Sequence, residues 1–193
     1  MSTDAAARGP DYDTVPSGVR GFLEAWHRFE CWIAVAAFGF IAAILVVDVI
    51  GREFIGPVFR ALGYPLGATG VPASQRLSVY ALVVGSFCGI GIATATSSHL
   101  VPRVAFGWVP KAWGPSMDRL ADLLTGVFLL AVAWYGVEFV LSSKATDLRA
   151  PILNWSVWPF QLAIPFGFAS AALRYLLFAL WPAARPIPPE FQE

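Results

Sequence analysis

The residues able to do chemistry are few, and their spacing narrows what they could do. The chain of 193 residues has two histidines, His27 and His99, and two cysteines, Cys31 and Cys88. No CxxC pair and no Cys/His set of metal-ligand spacing occurs, so no metal is expected. Both thiols read as reduced groups facing core or lipid. A haem carried between helices wants histidine ligands inside the bundle, whereas both histidines here read as interfacial. Catalysis needs acids, bases or nucleophiles within reach of one another. No Ser/His/Asp set, phosphate loop or HExxH sequence is present, so the chain reads as a protein that is not an enzyme and needs no cofactor. Asp48, Asp122, Glu138 and Arg174 lie in or beside apolar sequence. Ionisable residues in such places are candidates for a proton or ion path. All four fall toward the ends of their apolar runs, where snorkelling or a single ion pair is sufficient. Asp48 and Arg52 are spaced to share a helix face and form a structural ion pair.

The elements that must position these residues are apolar. Four stretches, 32–50, 77–96, 120–141 and 157–180, are each about as long as the roughly 20 residues a helix needs to cross a bilayer. Hydrophobic residues make up 57% of the chain and charged residues 13%, about half the charge of an ordinary soluble domain. Mean hydropathy is +0.63. Net charge is zero, which together with the lack of a basic cluster excludes a nucleic-acid partner. The expected fold is an all-α integral membrane protein with four transmembrane helices preceded by an amphipathic interfacial helix. Residues 18–182 form the membrane domain, with a disordered cytoplasmic tail expected at 1–17 and a second cytoplasmic tail at 183–193. The first residues carry Asp4, Asp11 and Asp13 and no apolar core, so they do not read as a secretory signal.

Phe22, Trp26, Phe29 and Ile33 recur at helical spacing, with Arg20, Glu24, His27 and Arg28 on the other side. This stripe fits an in-plane helix over 18–31; the alternative is an extension of the first span. The segment from Arg52 to Arg76 is rich in Gly and Pro yet apolar, and reads as an irregular outer loop lying on headgroups or on another polypeptide. The second span carries Ala81, Gly85, Gly89 and Ala93. A small residue at every fourth position lets a helix backbone approach closely, either within the chain or from a partner. Trp26, Trp32, Trp155, Trp158 and Trp181 flank the spans and suit the membrane interface. Ser116 reads as the N-cap of the third span. Pro165 should kink the fourth, and Arg174 should snorkel toward its end.

Four spans put both termini and the middle loop on one side. Arg8, Arg20, Arg28, Arg103, Lys111, Arg119, Arg174 and Arg185 lie on or near that side, against Arg52, Arg60, Arg76, Lys144 and Arg149 on the other. The excess places the termini in the cytoplasm. Arg52, Lys144 and Arg149 are then candidates for docking a partner on the outer side.

Four sequences in fixed order resemble a known family. They are Val47-Asp-Val-Ile-Gly-Arg52, Tyr80-Ala-Leu-Val-Val-Gly85 leading to Ser98-His99-Leu-Val101, Trp158-Pro-Phe-Gln-Leu-Ala-Ile-Pro165-Phe-Gly167, and Leu173-Arg174. From about Glu24 to Trp181 the chain resembles the small membrane subunit (DctQ type) of tripartite ATP-independent periplasmic, or TRAP, transporters. It departs from the family at Ser74-Gln75-Arg76, where acidic residues often stand, and its first outer loop is long. The resemblance implies a bacterial inner-membrane scaffold without an active site. Its partners would be a large permease subunit (DctM type), which carries substrate and sodium, and a periplasmic binding protein (DctP type), which delivers an organic acid. The competing class is a stand-alone four-helix protein, either a haem or redox subunit or a small channel-like homo-oligomer.

Overall fold

A computed structural model describes residues 12–64, 67, 69–97, 113–151 and 153–186. After a short 3-10 turn at Tyr12–Thr14, α1 runs over Ser17–Ile50. A π turn at Gly51–Ile55 leads into α2, Gly56–Ala61. Then follow α3, Ser74–Ala95, α4, Gly114–Ala145, α5, Trp158–Gln161, and α6, Ala163–Leu180. Among the described residues there is no strand, only one bridge between Arg149 and Ser156. Four helical segments are long and apolar enough to cross a membrane: Ser17–Ala61, Ser74–Ala95, Gly114–Ala145 and Trp158–Leu180.

The amphipathic segment 18–31 is helical, but it is not a separate interfacial helix. It continues into the first span without a break. No proline lies between Pro16 and Pro57, so every residue between them can donate to the ladder. Change of polarity alone does not end a helix. The outer loop is also shorter than the sequence suggests. The chain stays helical to Ala61, with Pro57 in the first turn of α2, where a missing N–H is tolerated. The third helix exceeds its apolar run at both ends because hydropathy marks the hydrocarbon core and not the helix ends. Ser116 therefore lies inside α4 and does not cap it; no side chain caps that helix.

The fourth span is interrupted at Leu162, between α5 and α6. Pro165 has no N–H to offer the carbonyl one turn back, at Gln161. The interruption falls where that bond is missing.

The spans form a layer. α1 packs on α3, α3 on α6, and α6 on α4. α6 is interior and lines its contacts with small residues: Ala163, Gly167, Ser170, Ala171 and Ala172 are all buried. Close approach replaces a hydrophobic driving force inside a bilayer. A Cβ on Gly136 of α4 would stand 3.3 Å from the Cβ of Pro165. Tyr80 stacks on Phe160 at 4.9 Å, tying α3 to α5. The edge helices α1 and α4 present long apolar surfaces outward, including Trp32, Val35, Val46, Leu124, Phe128 and Tyr135.

The two described chain ends meet at one end of the layer. Val15, Phe178 and Ala184 form a buried cluster, with Val19, Leu23, Tyr175 and Trp181 packed around it. Ser97 Oγ donates to the Pro186 carbonyl at 2.9 Å. Val15, within the tail expected to be disordered, is thus packed, as is Ala184 in the other tail. Residues 1–11 and 187–193 lie outside the described residues.

Candidate functional site

The deepest charges in the molecule belong to Glu30 and Arg174, which are 0% and 1% exposed. Glu30 sits on α1 and Arg174 on α6, about a turn and a half from the end of that helix. Arg174 Nη2 donates to Glu30 Oε2 at 2.6 Å, and Nη1 donates to Glu30 Oε1 at 3.2 Å. Nη1 also donates to Ser170 Oγ at 2.8 Å and to the Gly91 carbonyl at 3.0 Å. Ser170 Oγ donates to Glu30 Oε1 and accepts from Trp26 Nε1 at 2.9 Å. The guanidinium fork therefore grips both carboxylate oxygens, a strong and directional arrangement. The network joins α1, α3 and α6. Gly91 is required by it: a Cβ there would collide with the Glu30 carboxylate.

Arg174 therefore does not snorkel. A charge that reaches a satisfied partner inside the bundle has no need to reach the headgroups. Glu30 was not among the ionisable residues that stood out in the sequence. It follows Glu24, His27 and Arg28 in the amphipathic segment, and only the fold brings it to Arg174. Trp26, expected as an interfacial anchor, is half-buried and spends its N–H on Ser170. A cleft of about 330 Å³ adjoins the pair, lined in part by Leu23, His27, Cys31, Thr96, Arg174 and Phe178. His27 Nε2 lies 3.6 Å from Cys31 Sγ. His99, Arg103 and Lys111 lie outside the described residues. Among the described residues no group of three His, Cys, Asp or Glu could hold a metal.

A second polar cluster closes the opposite end. Asp48 is 3% exposed on the last turns of α1. One carboxylate oxygen pairs with Arg52, and the other accepts the Val71 N–H at 2.8 Å. The returning segment lies hard against α1. Gly70 has its Cα side on Asp48, and a Cβ there would sit 2.6 Å from Asp48 Oδ1. A Cβ on Gly51 would collide with the Thr69 carbonyl. Asp48 thus straps residues 69–71 across the helix end. Lys144 stands over the Trp158 ring at 5.1 Å. Arg149 Nε donates to Asp147 at 2.9 Å. Arg52, Lys144 and Arg149 share this end of the layer, but the first belongs to one edge helix and the others to the opposite edge helix and the turn after it. At the chain-terminal end, Arg185 pairs with Asp122.

The face of α3 differs from a strict four-residue series. The buried positions are Ser74, Ser78, Gly85, Cys88, Gly91 and Thr94, steps of three, four and seven. Gly85 meets α1 closely: a Cβ would stand 3.1 Å from the Phe38 ring and 3.3 Å from the Ala37 Cβ. Gly89 has nothing within 4 Å of such a Cβ, and Ala81, Gly89 and Ala93 are half-buried. A straight α-helix turns 100° per residue, so a step of four drifts off one face and alternating steps hold it. Trp32 and Trp155 are exposed at 69% and 53%. Trp158 is half-buried beneath Lys144, and Trp181 is half-buried in the terminal cluster.

No curated protein and no solved structure matches the chain. A family model for the DctQ component of tripartite ATP-independent periplasmic transporters matches residues 41–184, well over half of the sequence and all of the three later spans. A four-span apolar bundle and this match together lead to one statement: the chain belongs to the DctQ component family of TRAP transporters.

Proposed function

We propose that this chain is the non-catalytic scaffold subunit of its transporter. It binds and anchors a large permease subunit of the DctM type in the bacterial inner membrane. That subunit moves an organic acid of the carboxylate type together with sodium, and a periplasmic binding protein of the DctP type delivers the acid. The chain's termini face the cytoplasm, following the excess of Lys and Arg at that end. Arg52, Lys144 and Arg149 are then exposed on the periplasmic side, where they meet the binding protein.

One observation carries this reading. The family match covers the end of α1 and all three later spans, and the deepest charges of the described bundle neutralise one another. Glu30 and Arg174 clamp three helices and are paired with each other. A packed layer with two broad apolar edges suits a static support.

Reconstitution tests it. Proteoliposomes holding this chain alone should show no uptake of a carboxylate substrate. Addition of the large subunit and the binding protein should give uptake that depends on a sodium gradient. Flux through the small chain alone would overturn the scaffold reading in favour of a channel.

A further inference from the structure

The outward face of α4 carries a carboxylate at membrane depth. Between Asp122 and Lys144, Glu138 is the sole charged residue of α4. The helix buries Asp122, Gly126, Ala133, Gly136 and Val140 against α6. At 100° per residue Glu138 stands about 140° to 200° round from Ala133 and Gly136, and it is exposed. Trp134 Nε1 donates to Glu138 Oε1 at 3.1 Å, which fixes the carboxylate on that surface. Trp134 and Tyr135 flank it, at 66% and 68% exposure, and Phe128, 67% exposed, continues the Tyr135 side of the face two turns further along. Glu138 lies six residues, or roughly 9 Å of helix rise, inside Lys144.

The bond to Trp134, one turn further into the apolar run, holds the carboxylate away from the near end of the run, so it does not snorkel, and a carboxylate held there is left to lipid only at a cost. Among the described residues it has one neutral donor and no cation. The four apolar runs contain one cation, Arg174, and Arg174 is already paired with Glu30. A second copy of the chain would bring no free cation to that depth either.

We propose that the face of α4 formed by Phe128, Trp134, Tyr135 and Glu138 is the docking surface for the large subunit. A transmembrane helix of that subunit presents an Arg or Lys to Glu138. The inference rests on the scaffold reading and adds to it which edge of the layer is occupied. The aromatic residues exclude water around the pair, which strengthens the attraction.

The test uses the full chain co-expressed with its large subunit. The wild type should retain the large subunit on purification, and Glu138→Gln should lower the recovered amount by about tenfold or more, as loss of one partner of a buried charge pair does. The heat stability of Glu138→Gln purified alone, equal to wild type, shows that the chain still folds. In a second arm, a photoreactive p-benzoylphenylalanine replaces Tyr135 with Glu138 intact. The expected adduct contains the large subunit. Unchanged recovery with Glu138→Gln, or adducts formed only with lipid or with a second copy of this chain, would overturn the assignment of this face. Failure of the wild type to retain the large subunit at all would overturn the scaffold reading with it.

Discussion

Glu30 and Gly91 show how one residue's chemistry sets another's size. The carboxylate of Glu30 fills the space beside the Gly91 backbone, and Arg174 bonds to the Gly91 carbonyl from the other side. An added methyl group there must push the ion pair apart. Leaving a buried charge less than fully paired is strongly destabilising, on the order of 3–5 kcal/mol when a partner is lost outright. Gly89, two residues earlier, has open space over it. Gly91→Ala should therefore lower the heat stability of the purified chain by a loss on the order of 1–3 kcal/mol. Gly89→Ala should leave it within about 0.5 kcal/mol of wild type. Thermal unfolding in detergent, followed by circular dichroism, measures both. A loss at Gly89→Ala larger than that at Gly91→Ala would mean that the small residues act through a four-residue face after all.

At the scale of the element, the return of the chain after α2 depends on the end of α1. Residues 69–71 have few apolar contacts to hold them. They are held by the Asp48 carboxylate, which accepts from the Val71 N–H, and by the close passage of Gly70 and Thr69 over the helix. Asp48→Ala removes the acceptor and leaves Arg52 without its partner. The segment should then open more often, because local opening is governed by the few bonds that close it. A single cysteine placed at Gly67, in a chain with Cys31 and Cys88 replaced by Ala, should react with a water-soluble maleimide several-fold faster in the Asp48→Ala background. An unchanged rate would show that the strap is held elsewhere. The helices themselves should persist, since their backbone bonds are internal.

For the whole molecule, an even number of spans brings the chain ends together, and the packing of Val15, Phe178 and Ala184 shows them meeting. The proposed orientation can be read by labelling. Single cysteines at Asp13 and Pro186 should be shielded from a membrane-impermeant reagent added to intact cells. Single cysteines at Gly67 and Asp147 should be modified. The opposite pattern would invert the molecule and remove Arg52, Lys144 and Arg149 from the periplasm. Mixed labelling of Asp13 and Pro186 would contradict the packed terminal cluster itself.

The sequence by itself determined the spans. Twenty-residue apolar runs are local facts, and hydrocarbon leaves a lone helix few alternatives. It also determined the Asp48–Arg52 pair, because four residues on one helix is a fixed geometry. The continuity of α1 was harder to read, since the polar face of 18–31 matches both an in-plane helix and a helix end projecting from the membrane. What only the tertiary structure decided is who meets whom across helices. The Glu30–Arg174 pair joins residues 144 positions apart. No periodicity encodes that distance, and each residue alone resembles an interfacial charge. The exposed Glu138 is the converse case. Its position in a span was legible, but which way it pointed depended on α6 covering the opposite face of α4. Burial is a property of the neighbour as much as of the residue, and the neighbour is chosen only when the helices pack.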